Sequence, residues 1–278
     1  MKRRSIFVLV LVVLLAVPFY GYSDQWQDLI EQKGKGIINW TKGVVQATGI
    51  GAPPEKFYGK PNARPMALRA ATLDAYRNIL EVVNGVRINS TTVIKDFAVE
   101  NDIIMSKVEG MVKGAEVIKK EYLSDGTVEI TMQMNLRGGF AQLVLPEEIE
   151  PVETIKPVVP VQSSSAVYTG LVVDAKGLKT RPAMSPKILD ENGQEVYGSA
   201  FVSREYAVQQ GMSGYAKELS AAQNNQRVTD NPLTVKGLRT EGTGRSDIVI
   251  SNADASRLRS ASENLSFMKK CRVMIVVD

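Results

Sequence analysis

Residues 63–86 read ARPMALRAATLDAYRNILEVVNGV, and this stretch decides the fold of the first half of the chain. Pro65 suits the first turn of a helix and Gly85 suits the left-handed position just past its end, so the stretch predicts one long helix. Its apolar side chains recur three and four residues apart on two neighbouring stripes, which indicates a helix that is mostly covered. One stripe carries Leu68, Ala71, Ala75, Ile79 and Val82, and the other carries Leu73, Tyr76, Leu80 and Val83.

The alanines of this helix raise the question of what lies against them. Small side chains let a helix approach a strand closely, which predicts packing within the protein's own core; a groove for a partner is the alternative. The remaining arc is polar and carries Asp74, Arg77, Asn78 and Glu81. The spacing of Asp74 and Arg77 predicts a surface pair that supports the helix by about 0.2–0.5 kcal/mol.

Strand patterns flank the helix on both sides. The stretch INWTKGVVQATGIGAP (38–53) predicts a strand ended by Gly49, Gly51 and two prolines. A second helical region is predicted from about Thr92 to Val112, closed by Gly114. Strict alternation in TVEITMQMNL (127–136) predicts a half-buried strand, paired with AEVIKKEYL (115–123) through a turn at 124–126. The first half is therefore predicted to be an α+β domain with helices on one face of a small antiparallel sheet.

A proline-rich segment divides the chain. Four prolines between residues 146 and 160 and the serine run 163–165 favour extended chain. We therefore predict an N-terminal domain (24–145), a linker (146–166) and a C-terminal domain (167–278).

The C-terminal half alternates strand and helix patterns. Strands are predicted in YTGLVVDA (168–175), DIVIS (247–251) and CRVMIVVD (271–278), with a hairpin turning at Asn192-Gly193. Helices are predicted in 203–211, in 215–223 and in one stretch capped near Asn252. The predicted fold class is thus α+β, with an antiparallel sheet and helices on one face in each domain.

The N-terminus has the pattern of a secretory signal peptide. Lys2, Arg3 and Arg4 precede an apolar run from 6 to 17, and Gly21 and Ser23 suit a cut before Asp24. An uncleaved anchor is the alternative, although the run is short for a membrane span. Residues 1–23 are therefore predicted to be removed, leaving a soluble periplasmic protein with no lipoprotein cysteine and no stable membrane anchor.

Composition excludes several kinds of function. The chain has 34 Lys+Arg and 30 Asp+Glu, and removing the three bases of 1–23 leaves 31 against 30. Such a nearly neutral protein lacks the excess of positive charge that nucleic-acid binding requires. Histidine is absent and Cys271 is the single cysteine, which rules out His-dependent catalysis, imidazole metal sites and an intramolecular disulfide.

Four local patterns are weighed as candidate sites, and none is adopted. DENGQE (190–195) resembles a calcium loop but turns too soon, so a hairpin turn is preferred. TEGTGRSD (240–247) has two glycines that could bind an anion, but a solvated loop is preferred. Ser266 with Lys269 or Lys270 has the spacing of a catalytic Ser-Lys pair, but a chain with this many serines and lysines contains that spacing by chance. Trp26 and Trp40 are interpreted as packing residues rather than as a docking patch. We therefore predict no catalytic, cofactor or metal residues.

The order of elements resembles a known family. ATGIGAP leads into a helix with Ala70, Ala71, Asp74, Ala75, Arg77 and Leu80 that is closed by NGVRI. This pattern, over roughly residues 40–145, is similar to the LPP 20-kDa lipoprotein family and to the N-terminal domain of flagellar assembly protein T. The resemblance implies a non-enzymatic exported envelope protein, and the flagellar member forms part of a ring around the basal body.

The sequence thus predicts a periplasmic assembly or scaffold factor. The expected partners are other envelope proteins, with basal-body or outer-membrane components as candidates. The alternative is a small-ligand or cell-wall binding module that uses the C-terminal domain.

Overall fold

The computed structural model describes residues 27–99, 102–149, 168–260 and 262–278. The predicted signal peptide, Trp26 and residues 150–166 of the predicted linker lie outside these ranges.

The first half contains a five-stranded antiparallel sheet. Its strands are β1 (Ile30–Lys33), β2 (Gly36–Asn39), β3 (Val44–Gly51), β4 (Glu116–Tyr122) and β5 (Val128–Asn135). Their order across the sheet is β1-β2-β3-β5-β4. Helices α1 (Ala63–Asn84), α2 (Ile94–Val99), α3 (Asp102–Lys113) and α4 (Gly139–Val144) complete this half. The second helical region is therefore two helices, and Gly114 follows the second, as predicted.

The stretch 38–53, predicted as one strand, contains a turn between β2 and β3. Gly43 adopts a φ of +69° and donates its N–H to the carbonyl of Asn39 at 2.8 Å. The side chain of Asn39 accepts from the N–H of Lys42 at 3.0 Å. Asn39 and Gly43 together close this turn, and the single-strand prediction was wrong because it overlooked them.

Helix α1 lies directly on β3, which shows what the alanines face. Ala67, Ala71 and Ala75 are fully buried. Gly49 lies inside β3, whereas Gly51 is its last residue, as predicted, and a Cβ on Gly49 would lie 2.0 Å from the backbone nitrogen of Ala75. The small residues of helix and strand therefore allow contact between the two backbones, and packing within the protein's own core is confirmed.

Two polar residues of α1 complete the edge of β3 where β2 ends. The register of β2 on β3 stops at Ala47. Beyond it, the N–H of Ile50 donates to Asp74 Oδ2 (3.0 Å), and Asn78 Nδ2 donates to the carbonyl of Thr48 (2.8 Å). Asn78, placed on the polar arc, is buried because its amide replaces a missing strand partner.

Two further predictions for α1 were wrong. Gly85 has a φ of −89° and is not left-handed. A Cβ there would lie 2.3 Å from the Cε atom of Lys33, the flexible end of a side chain that crosses this position. Leu73, placed on the second apolar stripe, is 51% exposed because the sheet covers only one side of the helix.

Strand β5 confirms its predicted alternation. Val128, Ile130, Met132 and Met134 are buried, while the residues between them are partly exposed. The turn to β4 is as predicted, with Gly126 at a φ of +85°. The side chains of β5 that face α1 form the other wall of the core of this half.

The second half contains a seven-stranded mixed sheet. Its strands are β6 (Gly170–Asp174), β7 (Ile188–Leu189), β8 (Glu195–Tyr197), β9 (Gly214–Ala216), β10 (Pro232–Glu241), β11 (Asp247–Ile250) and β12 (Val273–Val276). Their order is β8-β7-β11-β10-β6-β12-β9. Helices α5 (Arg204–Gln210), α6 (Leu219–Gln223), α7 (Asn252–Arg259) and α8 (Ser262–Lys269) accompany it. The α+β fold class is confirmed.

The prediction that this second sheet is antiparallel was wrong. Strand β6 pairs in parallel with β10 and β12, and β12 pairs in parallel with β9. Every residue of β11 and β12 is buried. Continuous apolar strands of this kind are typical of parallel sheets covered on both faces, a signal that the antiparallel interpretation overlooked.

Three details of this half also differ from the prediction. Strand β10 was missed because Pro232, Lys236 and Gly237 interrupt its apolar pattern. The stretch 215–223 begins in β9 before α6 starts at Leu219, and the stretch 253–267 forms parts of two helices. The hairpin at Asn192-Gly193 and the strands in 168–175, 247–251 and 271–278 are confirmed.

The cores of the two halves are continuous. Buried side chains from both sheets belong to one contiguous apolar cluster. Ile149, at the start of the predicted linker, is part of this cluster and only 1% exposed. Trp40 contacts Tyr215 edge-on with ring centres 5.8 Å apart. The two sheets therefore pack as neighbours, and two of the cavities described below have walls from both halves.

Candidate functional site

The loop that follows α1 joins the two halves. Its backbone pairs with the second half, because the N–H of Met184 donates to the carbonyl of Arg87 (3.0 Å) and that of Ser185 to the carbonyl of Ile88 (2.7 Å). Arg87 and Val93 form an antiparallel bridge at the base of the loop. Residues 87–93 are therefore held between the halves.

Arg87 anchors this loop through a buried ion pair. It is 3% exposed, donates from Nε to the carbonyl of Pro182 at 2.7 Å and donates from both terminal nitrogens to Glu31. Trp40 Nε1 donates to the same carboxylate at 3.0 Å. Burial alone would raise the pKa of Glu31, but the hydrogen bonds and charge of Arg87, with help from Trp40 and Arg181, hold that pKa below its ordinary value.

A second buried carboxylate holds the tip of the loop. Asp247 accepts hydrogen bonds from Ser90 Oγ and, at 3.0 Å, from the N–H of Lys187. The N–H of Gly244 donates to the carbonyl of Ser90 at 2.6 Å. Burial raises the pKa of Asp247, against the opposing effects of the Ser90 and Lys187 contacts. Both carboxylate oxygens are engaged, so Asp247 positions the loop.

A cavity of about 580 Å³ lies on one side of this loop, and we call it the basic cavity. Four cationic side chains and one carboxylate line it, together with the hydroxyls and amides of the loop. The charged residues are Lys33, Arg87, Lys95, Arg181 and Glu81. Asn84 is also in the wall, and its side-chain oxygen is buried without a hydrogen-bond partner in the described part of the chain.

A wider groove of about 1100 Å³ lies on the other side of the loop. Its walls come from α2, α3, residues 142–148 and parts of the second half. The apolar residues Phe97, Ile103 and Leu143 alternate there with charges of both signs, among them Lys107 and Glu148. This mixed surface does not indicate one class of ligand.

A different surface is formed by β4, which is the outer strand of the first sheet. All seven of its residues are exposed. Large apolar side chains lie on this strand and on the residue after it, each 44–47% exposed: Val117, Ile118, Tyr122 and Leu123. The register on β5 shifts between Val117 and Lys119, so Ile118 is the extra residue of a β-bulge. We call residues 116–123 the edge strand.

A shallow cavity of about 400 Å³ extends the edge strand at its far end. Pro53, Tyr58, Arg64 and Tyr122 line it, and the Arg64 guanidinium lies 5.1 Å from the centre of the Tyr122 ring. Tyr58 is 53% exposed. Aromatic and apolar groups therefore continue from the strand onto a neighbouring recess.

The patterns singled out in the sequence are placed as follows. Asp190 accepts from the N–H groups of Asn192 and Gln194 and from Arg259, as a hairpin turn requires. The 240–247 loop is not simply solvated, because Thr243 and Gly244 both contact Ser90. The described residues contain no group of three or more His, Cys, Asp or Glu side chains arranged to hold a metal ion.

The remaining candidates are structural or peripheral. Cys271 is fully buried, as predicted, and burial raises the pKa of its thiol to about 12. Ser266 lies exposed on α8. Trp40 is packed in the core, also as predicted. The Asp74–Arg77 pair does not form, because Asp74 serves β3 instead.

Sequence reasoning missed Arg87, Glu31 and the cavity beside them. The pair joins residues 56 positions apart, and no local pattern marks Glu31. The NGVRI stretch did carry a usable signal for Arg87. A basic residue between two apolar neighbours is a candidate for burial, and a buried charge needs an acidic partner.

Comparison with known protein families gives a match in the second half of the chain. Residues 170–278 match the family described as Treponema pallidum Tp0624, second domain. This range covers β6 to β12, the whole of the mixed sheet. A comparison with curated proteins found no match.

Proposed function

We propose that this chain is a non-enzymatic, exported cell-envelope protein that works in the periplasm as an assembly or scaffold factor. It binds an extended segment of another envelope protein along the edge strand. The observation that carries this proposal is the full exposure of β4 together with its apolar side chains.

An exposed outer strand binds partners through its free backbone groups. Among the described residues, no strand lies beside the N–H and C=O groups on the outer side of β4, and an added strand would satisfy them. Apolar side chains at Val117, Ile118 and Tyr122 supply the area that such a contact buries. The recess beside Tyr58 and Tyr122 supplies a pocket for one partner side chain.

The charges of the edge strand favour a foreign partner over a second copy. Lys119 and Lys120 lie at its centre, and lysines and bulges are features that discourage identical edges from pairing. Lys119 pairs with Glu121 at 2.8 Å, which leaves Lys120 as the central cation without an ion pair among the described residues. We therefore expect an apolar partner strand with an acidic side chain opposite Lys120.

Several sequence features support the location and the class. The signal-peptide pattern in residues 1–23 supports export, and in the described residues no helix has both the length and the apolar character to cross a bilayer. The resemblance to the LPP lipoprotein family and to flagellar assembly protein T supports partners among basal-body or outer-membrane proteins. The lack of histidine and the engagement of Asp247 support a non-enzymatic role.

The proposal is tested by photo-crosslinking in the native host. A photoreactive amino acid replaces Ile118 or Tyr122 on the edge strand, or Leu238 as the matched control, since Ile118 and Leu238 are 47% and 46% exposed. We expect both edge positions to capture the same envelope protein, with the crosslink mapping to an extended apolar and acidic segment. Equal capture from position 238, or no capture from 118 and 122, would contradict the proposal.

The basic cavity favours a second candidate function, the binding of a small ligand. The sequence placed that function in the C-terminal domain. The cavity instead takes most of its wall from the first half, with Arg181, Thr243 and Gly244 from the second.

A further inference from the structure

The basic cavity contains more positive than negative charge. Its wall carries four cationic side chains and one carboxylate, that of Glu81. A second carboxylate, Glu31, pairs with Arg87 and lies 3.7 Å from Arg181. Counting both carboxylates against the four cations leaves an excess of two positive charges in this recess.

Two of the cations have no acidic partner within the described ranges. Neither Lys33 nor Lys95 forms an ion pair there, whereas Arg87 and Arg181 share Glu31. Lys33 is partly buried and crosses Gly85 at the end of α1. Its side chain is therefore held at the cavity wall, where an ammonium group without a partner attracts an anion from solution.

We propose that the basic cavity binds a small dianion, either a phosphate monoester or a dicarboxylate. Lys33 and Lys95 contact its charged groups, and Arg181 is the third cation within reach. This site is separate from the edge strand and adds a ligand to the proposed partner-binding function.

The size and the neutral groups of the cavity suit such a ligand. A volume of about 580 Å³ falls within the roughly 300–1,000 Å³ of small-molecule sites. Asn89, Thr91 and Thr92 provide amide and hydroxyl groups beside the cations. The N–H of Gly244 is already donated to Ser90, so recognition of charge rests on side chains rather than on the glycine loop.

The test is calorimetric titration of the purified chain lacking residues 1–23 at low salt. The probes are glucose 6-phosphate, glutarate and, as the uncharged control, glucose. The double variant Lys33→Met/Lys95→Met removes the two unpaired cations while keeping the chain that packs on Gly85. The control Lys35→Met/Lys236→Met removes two exposed lysines that do not line the cavity.

We expect one of the two dianions to bind and glucose not to bind. The cavity variant should raise the Kd at least about tenfold, as loss of charge-assisted hydrogen bonds does, and the control variant should leave it within about twofold. The dianion that binds shows whether the cavity takes a phosphate monoester or a dicarboxylate. Lys95 is exposed, so we expect Lys95→Glu to fold like the wild type. It reverses a charge in the cavity wall and should weaken binding more than Lys95→Met does.

The proposal is overturned if neither dianion binds the wild-type chain, or if cavity and control variants weaken binding equally. An edge-strand variant, Ile118→Asp, should bind the dianion like the wild type. Failure of this inference is therefore distinct from failure of the partner-binding proposal.

Discussion

Replacing Gly49 with alanine should destabilise the protein far more than a single methyl group normally does. The new Cβ would lie 2.0 Å from the backbone nitrogen of Ala75 and 2.3 Å from the carbonyl oxygen of Ala71. Ordinary contacts begin near 3.4 Å, so helix and strand would have to separate by more than 1 Å. Because the clashing atoms are backbone, no rotamer change relieves the overlap.

The magnitude follows from that forced separation. Overpacking of a core typically destabilises by about 1–3 kcal/mol, and a clash with a helix backbone belongs at the top of that range. A gap of 0.5–1 Å already removes roughly a quarter to a half of the dispersion energy of each contact. We therefore expect a loss of about 3 kcal/mol in the free energy of unfolding and a fall in Tm of roughly 6–12 °C.

Urea unfolding followed by circular dichroism measures this change. The matched control is Gly110→Ala in α3, where a Cβ would meet nothing within 4 Å. Alanine there should stabilise by about 0.5–1 kcal/mol, because glycine is the poorer helix former. If Gly49→Ala lies within about 0.5 kcal/mol of the wild type, the close packing of α1 on β3 is refuted.

Three further predictions concern buried ionisable groups. Glu31→Gln leaves the charge of Arg87 without its partner and should lower the free energy of unfolding by about 2–4 kcal/mol, measured by urea titration. This loss is smaller than for a fully buried pair because the Glu31 side chain is one-quarter exposed. The pKa of Glu31 is lowered from 4.5, so its contribution to the free energy of unfolding is complete above pH 4.5 and is lost as pH falls through the folded-state pKa. Glu31→Gln should remove this part of the acid dependence of stability. Cys271, with a pKa of about 12, should resist thiol reagents at pH 8 and react only after denaturant is added, and rapid labelling of the native protein would contradict its burial.

Much of the first half could be predicted because its signals are local. The alternation of β5 and the stripe of α1 each show a buried face within one element. Gly49 misled because glycine marks both a strand end and a close backbone approach. Only the position of α1 over Gly49 decides between these two roles.

Asn78 and Asp74 show a second limit. Polar residues on a helix usually face water, and nothing local distinguishes one that serves a strand edge. Their role depends on where β2 ends, which is a property of the sheet.

The candidate sites depend on contacts between distant segments. Glu31 and Arg87 are 56 residues apart, and the basic cavity gathers residues from 33 to 244. The edge strand is different, since its pairing with β5 was predicted from the turn at 124–126. Its outer position could not be predicted, because the sequence does not show that β3 takes the other side of β5.

Hydrogen–deuterium exchange of the purified complex shows whether a partner adds a strand to β4. In the free protein the outward backbone N–H groups of residues 116–122 should exchange quickly, because no strand in the described part of the chain covers them. On binding the protein captured from position 118, we predict that exchange slows in 116–122, while β9, the outer strand of the second sheet, is unchanged. Protection elsewhere with unchanged exchange in 116–122 would contradict the claim.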